Sequence, residues 1–261
     1  MRQRSFPSVF VSHGAPTLAL ESGPANTFLR GLGSALGTPE AVLCISAHWE
    51  SDIPVTSLSP EPQTIWDFYG FPEELYRLRY PAPGAPRLAA SAAALLRESG
   101  VECREHADRG LDHGAWVPLM LMYPDANIPV TQLSVSTRRG PLFHHRLGRI
   151  LEPLRHSGIL ILGSGGAVHN LGTVDFGSGA IAPWAAEFDN WLNDRLMRGE
   201  TGELLDYRTK APFGPQAHPT EEHFLPLFVA AGAGGSGAGA ATLHRSFSFS
   251  TLSMAAYAFD S

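Results

Sequence analysis

The chain has 261 residues, 44% of them hydrophobic and 17% charged, with a formal net charge of −6. That apolar share supplies a sizeable core and excludes whole-chain disorder, which needs low hydrophobicity and high net charge. The negative balance, with no basic run beyond pairs such as Arg138-Arg139, argues against a nucleic-acid surface, which depends on clustered Lys and Arg.

The first four residues, Met1-Arg2-Gln3-Arg4, are basic, but the apolar stretch behind them is interrupted by Pro7, Ser12 and His13. It makes no signal-peptide core. No run of about 18 apolar residues marks a membrane span, so a cytoplasmic protein without a membrane partner is expected. Residues 6–12 (FPSVFVS) predict a buried strand leading into His13-Gly14. Residues 41–46 (AVLCIS) predict a second, leading into Ala47-His48-Trp49. Within it Cys44 reads as a buried reduced thiol, and with only Cys103 beside it there is neither a disulfide framework nor a Cys-based zinc spacing. Residues 86–98, rich in Ala and Leu, predict a helix. Asp112-His113-Gly114 follows an irregular stretch and precedes the apolar segment 116–122. Residues 128–135 (IPVTQLSV) predict a strand after the turn-like Pro124-Asp125-Ala126-Asn127, and 142–155 a helix. Residues 158–162 (GILIL) predict a strand ending in Gly163-Ser164-Gly165-Gly166, and 184–197 a further helix. The glycine-rich 230–241 reads as a flexible surface loop, and 243–252 as a late strand. Strands alternating with helices predict an α/β fold, one domain over residues 1–261 with a central, mostly parallel or mixed sheet flanked by helices.

The placement of the 11 histidines carries the functional reading. His13 and His48 stand at the carboxyl ends of predicted strands, and His169 follows a third across a glycine-rich turn. The crevice at such strand ends is where open α/β sheets bind ligands, and three histidines from separate parts of the chain point to a shared site. Neutral imidazole binds zinc and iron. In His218-Pro219-Thr220-Glu221-Glu222-His223, Pro219 suits a helix start and Thr220 an N-cap, which puts His223 in the first turn. Acidic residues there complement the helix dipole, and that reading is preferred for Glu221 and Glu222 over metal ligation, with His223 the better partner for His13 and His48. His113, between Asp112 and Gly114, is either an oriented acid/base or a loop residue. His106, His144, His145, His156 and His244 read as solvated, and His218 is left without a role. No phosphate-binding G-x-x-x-x-G-K-[ST] occurs, and Ser164 is not in a nucleophile elbow, because Leu162 stands where Gly is required. The glycines around it read as a tight turn that lets His169 reach the crevice.

The chain resembles the class III extradiol aromatic ring-opening dioxygenases, in the branch of the 4,5-DOPA dioxygenases. The resemblance rests on Ser12-His13-Gly14-Ala15-Pro16, Ser46-Ala47-His48-Trp49, Asp67-Phe68-Tyr69-Gly70-Phe71-Pro72 and Tyr80-Pro81-Ala82-Pro83-Gly84. It continues through Leu111-Asp112-His113-Gly114-Ala115-Trp116, Tyr123-Pro124-Asp125-Ala126 with Ile128-Pro129, Val168-His169-Asn170-Leu171 and Pro219-Thr220-Glu221-Glu222-His223. These segments keep their order over nearly the whole chain. The resemblance implies a catechol (DOPA-like) substrate, O2, and one mononuclear non-haem divalent metal held by His13, His48 and His223. It makes His169 either a further ligand or the acid/base, and His113 the histidine that contacts substrate or oxygen. Fe(2+) suits the dioxygenase chemistry, and an all-histidine set also suits Zn(2+). Trp49, Phe68, Phe71 and Trp116 are candidate walls of the catechol pocket. A zinc-dependent hydrolase on the same scaffold and a non-catalytic metal-binding relative are the competing readings. The presence of both His113 and His169 favours catalysis.

Overall fold

In the computed structural model, which describes residues 5–175 and 179–261, the apolar runs form the middle of a mixed eight-stranded sheet. Its strands are β1 (Ser8–Ser12), β2 (Ala41–Glu50), β3 (Val55–Ser57), β4 (Arg104–His106), β5 (Val130–Val135), β6 (Ile159–Gly165), β7 (Gly239–His244) and β10 (Ala256–Asp260); β8 (Phe247–Ser248) and β9 (Leu252–Ser253) pair separately. The spatial order is β4-β3-β5-β2-β6-β1-β10-β7. Strands β5, β2, β6 and β1 are parallel, while β10 and β7 add antiparallel beyond β1. The helices are α1 (Pro24–Leu36), α2 (Pro86–Glu98), α3 (His113–Met122), α4 (Gly140–Leu151), α5 (Pro183–Met197), the short α6 (Thr201–Leu205), α7 (Tyr207–Lys210) and α8 (Gly214–Ala217), and α9 (Leu225–Ala233).

The central strands are apolar at successive positions because both faces of the sheet are covered. On β2, Leu43 and Ile45 pack with residues of α2, α4, α5 and α9, whereas Val42 and Cys44 pack with α1 and α3. On β6, Ile161 faces the first layer and Leu160 and Leu162 the second. Because β2, β6 and β1 are adjacent and parallel, their carboxyl ends lie side by side. This brings the segments after three distant strands to one edge.

Several local expectations are corrected. Gly163, Ser164 and Gly165 belong to β6 rather than to a turn. A Cβ on Gly163 would sit 2.4 Å from Pro226 O, and one on Gly165 2.0 Å from His223 O, so these glycines let the segment leading into α9 lie against the sheet. The stretch 230–241 is no flexible loop: its first residues complete α9, with Ala230 and Ala233 fully buried, and its last begin β7. Its small residues serve close helix packing, since a Cβ on Gly232 would lie 2.1 Å from His145 O, and one on Gly148 of α4 2.1 Å from Val229 O. The late strand expected over 243–252 is broken by positive φ at Phe249 and Ser250, and the sheet instead takes β10. The helix expected over 142–155 ends at Leu151 and continues as a 3-10 turn, Glu152–Ser157, which contains Pro153. His144 is fully buried rather than solvated, its Nδ1 donating to Gly140 O at 2.7 Å and its Nε2 accepting from Ser136 N at 3.0 Å. His145 and His244 are half-buried, and His106 and His156 are exposed.

Gly232→Ala is expected to lower stability in urea unfolding by about 1–3 kcal/mol, because the added methyl overpacks the α4–α9 contact. Gly31→Ala on α1, where an added Cβ meets nothing within 4 Å, is the control. It is expected to be neutral or stabilising by up to about 1 kcal/mol.

Candidate metal centre

Each histidine reaches the sheet edge by a different device. His13 follows β1, and its backbone N–H donates to Gly165 O of β6 at 3.0 Å. His48 does not lie beyond its strand as expected. It sits inside β2, in a stretch where the pairing with β5 is interrupted between Ile45 and Glu50. His113 opens α3, whose N-cap Asp112 accepts from Ala115 N and from Ser46 Oγ of β2 at 2.5 Å. Gly114 is required next to it: an added Cβ would fall 2.4 Å from Ser46 Oγ, 3.0 Å from His48 Cδ2 and 3.2 Å from His13 Cε1. His223 is drawn to β6 by a bond from Gly166 N to its carbonyl at 2.8 Å. His169 is anchored by its N–H on Ala217 O at 3.0 Å.

His48 Nε2 lies 3.0 Å from His13 Nε2 and 3.2 Å from His223 Nε2. The outer partners determine which nitrogens carry protons. The Ser164 hydroxyl donates to Gly114 O, so it accepts from His13 Nδ1–H at 3.0 Å. Glu222 Oε1 accepts from His223 Nδ1–H at 2.9 Å, and His48 Nδ1 faces Asp67 Oδ2 at 3.4 Å. His13 and His223 therefore turn an unprotonated Nε2 inward, toward His48 Nε2. Lone pairs so arranged repel, and a cation relieves the repulsion. Metal–imidazole bonds of about 2.0–2.1 Å put adjacent ligand nitrogens about 3 Å apart, which this spacing meets. The donor set fits a divalent metal, with the outer hydrogen bonds typical of metal-binding histidines.

Electrostatics agree. Burial first, then the neighbouring histidines, holds His13 and His223 well below the usual histidine range. Burial likewise lowers His48, against the opposing pull of Asp67, and pushes His169 down to about 4. Neutral imidazole is the form that ligates.

The nitrogens of His13, His48 and His113 form one group within 4.8 Å, and those of His169 and His223 form another with a Glu222 oxygen. The His169 ring stacks on that of His223 with centroids 3.4 Å apart and planes inclined by 9°. A bound ion lies near the plane of each imidazole that ligates it, so two rings stacked in this way do not share one ion. Glu222 is engaged by His223 Nδ1 and by Thr220 Oγ1 at 2.9 Å, as an orienting partner. The helix expected to start at Pro219 begins at Leu225 without a side-chain cap, so His223 precedes it, Thr220 caps nothing and the glutamates do not serve its first turn. Glu221 instead accepts from Tyr207 OH at 3.1 Å. His218 is fully buried, donating from Nε2 to Ala167 O at 3.0 Å and stacking on Phe224, in a structural position.

His13, His48, His113, His169 and His223 line one cavity of about 220 Å³, with Phe68, Phe71, Leu171 and Met254 among its apolar walls. Trp49 and Trp116 do not line it. Trp116 is fully buried with Nε1 donating to Ile65 O at 3.0 Å, and Trp49 packs under Arg109. Ser164 and Asp67 went unrecognised in the sequence. Ser164 is placed by the β1–β6 register, which sets it beside Val11, and Asp67 by a loop without periodicity.

In the metal-free protein, stability is expected to fall by at least about 2 kcal/mol between pH 7 and pH 5. The unfolded chain protonates its histidines near 6.5, whereas burial keeps His13, His48, His169, His218 and His223 neutral in the fold. Protons thus bind the unfolded state first. Chemical denaturation across this range tests it, and a flat profile would contradict the burial of neutral histidines.

The family model of the catalytic LigB subunit of aromatic ring-opening dioxygenase matches residues 8–260. The chain is 46% identical over 256 residues to a 4,5-DOPA dioxygenase extradiol of Beta vulgaris, covering 97% of this chain and 96% of that protein. A protein of the same description from Escherichia coli K12 is 38% identical over 237 residues, covering 89% and 87% respectively. The crystal structure of an uncharacterized protein from Escherichia coli K12 matches with a TM-score of 0.82 at 31% identity, over 97% of this chain and 99% of that one. Family match and structural likeness both span nearly the whole chain, the five histidines included, and the chain belongs to the LigB family of aromatic ring-opening dioxygenases.

Proposed function

We propose that this protein is an extradiol dioxygenase that opens the ring of a DOPA-like catechol with O2, at one divalent metal held by His13, His48 and His223. The observation that carries this reading is the convergence of three imidazole Nε2 atoms, at 3.0 and 3.2 Å, in the wall of a largely apolar cavity. Fe(II) held there would supply the acidity that ionises one catechol hydroxyl and a redox path by which the ring's own electrons reach O2, whereas zinc would supply only the first.

The remaining steps belong to the chain's own side chains. His169, kept neutral by burial, takes the proton of the second hydroxyl and returns it as the ring opens. His113, whose Nδ1 faces Asp67 Oδ2 at 3.0 Å, has its Nε2 free to accept from the bound substrate. Phe68 stands edge-on to His113 at 5.7 Å and to Phe71 at 5.3 Å, forming an apolar wall that excludes water from the ring face. Cleavage of the carbon–carbon bond next to the diol places one oxygen atom of O2 in an aldehyde and the other in a carboxylate. The product is of the muconic semialdehyde type, and no external reductant is consumed.

Anaerobic reconstitution with Fe(II), followed by oxygen uptake and absorbance across a panel of catechols, is expected to show uptake matched by a conjugated semialdehyde. No uptake with any catechol at full iron occupancy would overturn the reading. His169→Ala is expected to keep its iron and lose about 10²–10⁴-fold in turnover, while His223→Ala loses the iron. Loss of iron from His169→Ala would make His169 a ligand instead.

A further inference from the structure

A single carboxylate meets two of the five cavity histidines. Asp67 Oδ1 accepts from the backbone N–H of His113 at 2.9 Å, and Oδ2 lies 3.0 Å from His113 Nδ1 and 3.4 Å from His48 Nδ1. The two rings are themselves 3.9 Å apart, tilted by 46°. The loop that carries Asp67 is tied to the α3 region. Ile65 O accepts from Trp116 Nε1 at 3.0 Å, Ile65 N donates to Leu111 O at 2.8 Å, and Phe68 packs against His113. The carboxylate also answers one of the free N–H groups at the start of α3, where negative charge is favoured.

An ionised carboxylate only accepts, and one oxygen has room for two donors. Asp67 Oδ2 thus fixes Nδ1–H on His113 by a hydrogen bond and, by its charge across 3.4 Å, favours Nδ1–H on His48, which leaves both Nε2 atoms bare. At His48 the bare Nε2 faces His13 and His223; at His113 it belongs to a ring lining the cavity. We propose that Asp67 is a positioning residue that holds the tautomer and orientation of His48 and His113 together, so that metal binding and substrate contact depend on one side chain. The inference rests on the proposed metal site but not on ring cleavage.

Asp67→Asn tests it, because an amide has one accepting and one donating end. With its oxygen kept on His113 N–H, its NH2 faces the two Nδ1–H groups; turned round, it faces the backbone N–H. A backbone N–H cannot move its proton to avoid the NH2, so the first arrangement is the favoured one, and in it at least one ring must move its proton to Nε2 or swing away. Long-range 1H–15N spectra of the full-length, metal-free protein labelled in histidine, assigned with H48Q and H113Q, read the tautomers directly. Zn(II) competition titration reads affinity. The wild type is expected to show bare Nε2 at both positions, and D67N an Nε2–H on at least one ring with affinity reduced about 10–100-fold. D67E, which accepts only, is expected to restore the tautomers and part of the affinity. Wild-type tautomers at both rings in D67N overturn the proposal. If D67N does not fold, an Nε2–H at either ring in D67E overturns it. No catechol or oxygen enters these measurements, so their outcome is independent of whether the ring-cleavage reading holds.

Discussion

Three imidazole Nε2 atoms stand together, His48 at 3.0 Å from His13 and 3.2 Å from His223; the inward lone pairs of His13 and His223 repel, and the rest of the site exists to keep them there. Each ring has an acceptor behind it: Ser164 hydrogen-bonded to His13, Glu222 hydrogen-bonded to His223, and the Asp67 carboxylate 3.4 Å from His48 Nδ1. Those acceptors come from a central strand, the turn before α9 and an irregular loop. The histidines are likewise gathered from both ends of the chain. An ion of suitable charge converts the repulsion into attraction, so the geometry is that of a preorganised binding site rather than of a stable polar cluster.

Preorganisation on this scale needs close backbone approach, and glycine provides it. Gly114 lets the start of α3 come against His13 and His48, and Gly165 lets the His223 carbonyl lie against β6. Behind the sheet, Gly148 and Gly232 bring α4 and α9 together, which seats α9 and with it the segment carrying His223. A methyl group at Gly114 would push directly on Ser46 and on the His48 and His13 rings, and one at Gly148, Gly165 or Gly232 would move a backbone. Burial reinforces the arrangement, since it keeps the rings neutral and leaves their lone pairs available.

The cavity has a division of labour that follows from ring orientation. His13, His48 and His223 turn their Nε2 atoms toward one another, whereas His169 lies flat on His223 and so sits over that group rather than within it. His113 is held by the same carboxylate as His48 but belongs to a helix start rather than to a strand. Apolar Phe68 and Phe71 complete a space suited to a flat ring.

Much of this was legible in the sequence, and the failures have physical causes. Apolar runs at residues 41–46 and 158–162 identified central strands, because burial on both faces demands apolar residues in succession. Strand-end placement pointed to His13, His48 and His169, and the ordered motifs added His113 and His223; all five line one cavity, although His48 lies inside its strand. The glycine-rich stretches were misread, because glycine permits both a free loop and a tight contact, and only the neighbour across the contact distinguishes them. His144 and His218 gave no sign of their burial for the same reason. Asp67 opens one of the motif segments and Ser164 follows an apolar run, but neither showed its role, because each matters through a residue far away in sequence. By itself, then, the sequence determined the α/β fold, the five histidines and the family. Only the tertiary structure decided which partner stands behind each ring, the stacking of His169 on His223 and the sharing of Asp67, because these depend on the direction of side chains in space.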